Sequence, residues 1–131
     1  MTTTVPPVDA ASYGDAHRTG VTSKNLFDGV TDHLFFSQGA STSDPTDHDL
    51  YMALSYAVRD RLMARHLAYK DLQRSHPAKS VAYLSAEFLI GPQLGNNLLM
   101  LGITDAAREV MARFGVPDLD RIDRKSTRLN S

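Results

Sequence analysis

At 131 residues with 42% hydrophobic content, the chain has the length and composition of one modest globular domain rather than of a disordered segment. Its 14 basic and 15 acidic residues leave a formal charge of −1, which gives no electrostatic footprint for nucleic acid or an anionic membrane surface, so neither is expected as a partner. The absence of cysteine excludes disulfides and thiolate metal sites. No apolar run approaches the roughly 18 residues of a spanning helix, and MTTTVPPVDAASYGD at the start has neither the basic flank nor the apolar stretch of a signal peptide, so a soluble, cytoplasmic protein is expected.

Residues 1–22 are rich in Thr, Ser, Pro, Gly and Ala without an apolar period and read as a flexible leader. From Ser23, SKNLFDGVTDHLFFSQG places Leu26, Phe27, Val30, Leu34 and Phe35 at helical spacing, and Gly39 suits the residue just past the helix end. After the breaker-rich ASTSDP, Thr46 with Asp49 three residues later predicts a capping box, in which each residue's side chain satisfies the other's backbone N–H. A long helix then runs through DHDLYMALSYAVRDRLMARHLAYKDLQRS, with Leu50, Ala53, Leu54, Ala57, Val58, Leu62 and Met63 on one stripe. At about 1.5 Å per residue its length is about 43 Å. One short helix cannot cover such a stripe, so a larger body is expected to pack on it.

Pro77 closes that helix, and the period switches to SVAYLS, residues 80–85. Val81 and Tyr83 face one way and Ala82 and Leu84 the other, which leaves no polar face and predicts an interior strand, although the chain offers no second strand to pair with it. QLGNNLLML predicts a short helix stopped by Gly102, and TDAAREVMARFG another, with Thr104 as its N-cap and Gly115 as its stop; Pro117 opens one further turn. The last nine residues, DRKSTRLNS, hold a single apolar residue, Leu129, and abandon every preceding period. They carry one acid and three bases, so residues 1–122 alone have a formal charge of −3. RKSTRLNS resembles the translated read-through of a sequencing adapter, and residues 123–131 are expected to be a non-native tail.

His17, His33, His48, His66 and His76 form no i, i+4 ligand pair, and no carboxylate completes a metal motif, so no metal is expected. Gly91 and Gly95 do not fit a dinucleotide-binding pattern and read as backbone flexibility after the strand. Asn96 and Asn97 read as helix-start or loop hydrogen bonders rather than ligands. Glu87 stands out, because a carboxylate set directly before Phe88, Leu89 and Ile90 needs a partner or a shifted pKa. A strand end is where α/β proteins commonly place ligand-contacting groups; on spacing alone a structural carboxylate paired with an arginine is favoured over a site residue.

DLYMALSYAVRDRL followed by KSVAYLSAEFLIGPQLGNNLLMLGI closely resembles the N-terminal part of the glycogen, or α-glucan, phosphorylases, especially the bacterial form, over about Arg18–Ile122. The resemblance implies an α/β class: residues 23–122 would be the N-terminal, mostly helical edge of the first α/β domain of a two-domain, glycosyltransferase-B-like enzyme, with one strand in this stretch. It also implies a homodimer that holds pyridoxal 5′-phosphate and uses inorganic phosphate to cleave terminal α-1,4-glucosyl bonds of an α-glucan, giving glucose 1-phosphate. By the same likeness Glu87 lies at the wall of the glucosyl pocket and acts by contact rather than proton transfer.

Several family features are not matched. Leu89 stands where animal forms carry a tyrosine close to the cofactor, and HRTG at residues 17–20 has no counterpart of their regulatory serine. The family's glycine-rich loop does not follow Ile122, and none of Lys24, Lys70, Lys79 or Lys125 lies in a context like that of the Schiff-base lysine. A site assembled between two domains cannot operate from one edge of one of them, so the chain by itself is expected to be inactive, with no complete catalytic set and no bound cofactor. The alternative is a non-enzymatic helical association module from a truncated paralogue, using the long helix and the Phe35/Phe36 end.

Overall fold

The computed structural model describes residues 16–76, 79, 81–82 and 93–128, and among these every regular element is helical. They are α1 (Ala16–Thr19), α2 (Ser23–Asp32) running on into a π-helical turn (His33–Ser37), α3 (Asp47–Ser75), α4 (Leu94–Leu101), α5 (Thr104–Arg113) and α6 (Leu119–Arg128). The first half of α3 is the axis of the assembly and packs against α1, α2, the π turn, α4 and α6; α5 closes the far side against α2 and α4. Leu26, Val30 and Leu34, then Leu50, Leu54 and Val58, then Leu98, Val110, Met111 and Ile122 join in one buried core.

Local chemistry sets the boundaries. Thr46 accepts from the Asp49 N–H at 3.1 Å while the Asp49 carboxylate accepts from the Thr46 N–H at 3.0 Å and from its hydroxyl at 2.6 Å, so the expected capping box starts α3. The hydroxyl bond is the main reason the Asp49 carboxyl titrates below its ordinary value. A depressed carboxylate adds stability above its unfolded pKa of about 3.9 and loses it as pH falls through the lower folded value. Thr46→Ala is therefore expected to cost about 1 kcal/mol at neutral pH, and the gap from the parent chain should narrow below about pH 4. Denaturant midpoints at pH 7 and pH 3 check both; a gap unchanged at pH 3 would refute the coupling.

The helix stops also follow the sequence. Gly39 and Gly102 take φ of 62° and 72°, the left-handed region where a side chain is strained, and the next N–H turns back to Leu34 in one case and Leu98 in the other. Gly115 ends α5 in the same manner, with Val116 donating to Met111.

Two expectations change. Thr104 is not an N-cap: Ile103 takes that position, its carbonyl accepting from Ala107, and the Thr104 hydroxyl is left buried without a partner. The reason is the return bond from Ile103 to Leu98, which buries the Ile103 side chain and starts α5 one residue early. The expected strand is not seen at its two described residues: Val81 and Ala82 belong to no element, and Val81 is 94% exposed. An interior strand requires neighbours for its backbone groups, and none is present among the described residues; residues 80 and 83–85 lie outside them. Within residues 1–22 the structure describes one short helical turn, α1, and α6 runs on to Arg128, six residues into the segment 123–131. On the α3 stripe Met63 is exposed, and so are Leu67 and Leu72 further along the helix.

Candidate functional site

Glu87 lies outside the described residues, as do Gly91 and the lead-in from Tyr83. The structure does describe what flanks that stretch: the end of α3 at His76, and Gln93 with the first turn of α4. Beside Gln93 a groove of about 420 Å³ runs between α3 and α4, floored by Val58, Leu62 and Leu94 and edged by Tyr51, Ser55, Arg59, Gln93 and Asn97. Helical spacing places the α3 members, since Tyr51, Ser55, Val58, Arg59 and Leu62 recur at three- and four-residue steps.

Burial, followed by the nearby Asp123 charge, pushes the Tyr51 phenol above its ordinary value against a hydrogen bond with Ser55, so Tyr51 stays neutral across the working range. Asn97 donates its backbone N–H to the Gln93 carbonyl at 3.0 Å, and the residue lines the groove. Asn96 is exposed on the same turn. Gly95 lies in α4, where its N–H bonds the half-buried Asp123 carboxyl; burial raises that carboxyl's pKa and the hydrogen bond opposes the rise. Chemically this groove offers hydroxyl, amide and guanidinium groups for hydrogen bonding.

A second polar assembly lies where α1 meets α2 and α3. Arg61 is 2% exposed, and its guanidinium donates from Nε to the Gly20 carbonyl at 2.8 Å, from one terminal nitrogen to Ala57 at 2.7 Å and from the other to His17 at 3.0 Å. Burial works against its charge, while the neighbouring Asp60 favours it. Asp60 itself holds His33 Nε2 at 3.0 Å and Arg18 at 3.4 Å; the other ring nitrogen of His33 bonds Ser37 across the π turn at 2.8 Å, and His17 pairs with Asp32 at 3.1 Å. Gly29 makes the close approach possible, because a Cβ there would stand 2.9 Å from the His17 carbonyl oxygen. Arg61 belongs to no sequence motif, although it falls on the buried stripe, four residues after Ala57 and three after Val58.

Among the described residues no group of three or more His, Asp or Glu side chains is placed to hold a metal, and no helix is long and apolar enough to cross a membrane. Lys24, Lys70 and Lys79 are all exposed, and Lys24 forms a surface ion pair with Asp28 at 2.8 Å.

Comparison with known proteins decides the family. A glycogen phosphorylase of Synechocystis sp. is 39% identical over 106 residues, 81% of this chain. The chain belongs to the glycogen phosphorylase family over the stretch matched. A Pasteurella multocida glycogen phosphorylase is 33% identical over 76% of the chain, and the brain form from Bos taurus 32% identical over 70%. The chain spans only 12% of the length of the two bacterial relatives and 11% of the bovine one. No protein-family model matches it, and no solved structure does. The mostly helical architecture of the described residues is consistent with a helical piece of a phosphorylase.

Proposed function

We propose that this chain is the N-terminal, mostly helical edge of the first of two α/β domains in a glycosyltransferase-B-like α-glucan phosphorylase. The whole protein, a cytoplasmic homodimer holding pyridoxal 5′-phosphate, releases glucose 1-phosphate from the α-1,4-linked ends of glycogen or a related α-glucan with inorganic phosphate. The observation that carries this reading is the 39% identity to the Synechocystis protein over 81% of the chain. In it Glu87 contacts the bound glucosyl unit, residues 123–131 are foreign to the enzyme, and the cofactor is held by residues beyond this chain.

The test is a chimera in which residues 18–122 replace the matched stretch of the Synechocystis enzyme. It should release glucose 1-phosphate from glycogen and phosphate at a rate within about tenfold of the parent, whereas the 131-residue chain alone should release none above a blank. A correctly folded but inert chimera would defeat the reading. The rival, a non-enzymatic association module, draws support from the closed core of the described helices and from the exposed Phe35 and Phe36, whose rings pack edge to face at 5.0 Å. Genomic sequence past codon 122 separates the two: an in-frame glycine-rich loop supports the enzyme, and a native stop after Ser131 supports the module.

A further inference from the structure

The last four residues of α4 are Leu98, Leu99, Met100 and Leu101, a full turn with no polar side chain. Leu98 and Leu101 are buried against the other helices, while Leu99 and Met100, on the opposite side, are 70% and 72% exposed. The neighbouring α5 behaves differently: Ala107, Val110 and Met111 face inward, and its exposed positions include Asp105, Arg108, Glu109 and Arg113. A helix apolar on one stripe has one packed face, whereas a turn apolar all round is built to be covered on both sides.

We infer that the Leu99/Met100 face of α4 is an internal interface, covered by the part of a phosphorylase polypeptide that this chain does not contain. The inference rests on the family reading, and the occupant follows from length: the Synechocystis protein, which matches 81% of this chain, is about eight times as long as the matched stretch, which accounts for 12% of it. A second copy of this chain is the less favoured occupant, since two isolated side chains give a patch far smaller than the roughly 1,200–2,000 Å² of a stable protein–protein interface. An intramolecular contact needs no such area, because covalent linkage holds the two surfaces together.

Because the chain has no cysteine, one can be introduced as a reporter. Leu99→Cys is made both in the 131-residue chain and in the chimera, with the Synechocystis portion freed of its own cysteines, and maleimide labelling rates are measured under native and denaturing conditions. The thiol should react freely in the chain alone and at least 100-fold more slowly in the native chimera than in the denatured one. Equally fast labelling of a chimera that melts in a single transition would overturn the inference. So would protection already present in the 131-residue chain: loss of that protection on dilution would identify a second copy as the cover, and its persistence would identify the chain itself. The chimera's phosphorolysis is read separately, so an inactive but protected chimera would count against the proposed function and not against this interface.

Discussion

Replacing Arg61 with alanine is expected to cost about 3 kcal/mol, lowering the Tm of the chain by roughly 10–20 °C. The guanidinium donates to the carbonyls of His17, Gly20 and Ala57 from a 2% exposed position, and hydrogen bonds from a charged donor are worth about 1.5–3 kcal/mol each. Their sum overstates the loss, because burying the cation opposes its charge and because α1 can peel away and let water reach the freed carbonyls. The effect should thus be concentrated in residues 16–20, whose amide protection is lost before that of α2 and α3. Arg61→Lys should recover less than half, since an ammonium cannot span three carbonyls as a planar fork does.

Gly29 supplies a sharper check. Gly29→Ala forces a Cβ to within 2.9 Å of the His17 carbonyl oxygen, a backbone atom that cannot swing aside. Overpacking of this kind costs about 1–3 kcal/mol, more than the gain of about 1 kcal/mol that alanine brings to a helix. In an Arg61→Ala background the turn has already left, so the same substitution should become neutral or stabilising. Denaturation of the four variants, followed by circular dichroism, gives the coupling; additive effects would show that Arg61 and Gly29 do not act on the same turn.

Features set by neighbours along the chain are legible in the amino-acid sequence itself. Thr46 and Asp49 are three residues apart and satisfy each other's backbone, and Gly39, Gly102 and Gly115 stop helices because of their own backbone freedom. Features set by tertiary partners are not. Thr104 looks like a cap by residue type, but the burial of Ile103 fixes where α5 begins. The π-helical turn at His33–Ser37 shares the apolar spacing of an ordinary helix, and what distinguishes it, His33 bridging Ser37 and Asp60, depends on a residue 27 positions away. Arg61 lies between the two cases. A charge in register with Leu54, Ala57 and Val58 has to find partners inside the fold, but those partners are carbonyls of a turn that the composition of residues 1–22 presents as a loose leader. Glu87, the residue with the strongest functional suggestion, lies outside the described residues, so its role stands on family likeness and on experiment.

Glu87→Ala in the chimera is expected to lower kcat/KM for phosphorolysis by about 10²–10³, a loss of about 2.7–4 kcal/mol of transition-state stabilisation. A carboxylate at the wall of a glucosyl pocket can accept hydrogen bonds from sugar hydroxyls, and in a site emptied of water a charged acceptor is about twice as strong as a neutral one. If the contact tightens as the glucosyl unit moves toward the transition state, kcat falls; if it is equally strong in the ground state, KM rises with kcat unchanged. Glu87→Gln, which keeps the shape and one acceptor, should retain more activity than alanine. The competing account makes Glu87 half of a structural ion pair, and its signature is the reverse. Breaking a buried pair strands a charge at a cost of about 3–5 kcal/mol, so the chimera would lose stability while the surviving folded molecules kept normal kinetics. Measuring Tm and kcat/KM on the same preparation therefore separates them: a large kinetic loss with Tm within about 2 °C of the parent assigns Glu87 to the sugar, and a large fall in Tm with unchanged kinetics assigns it to the scaffold.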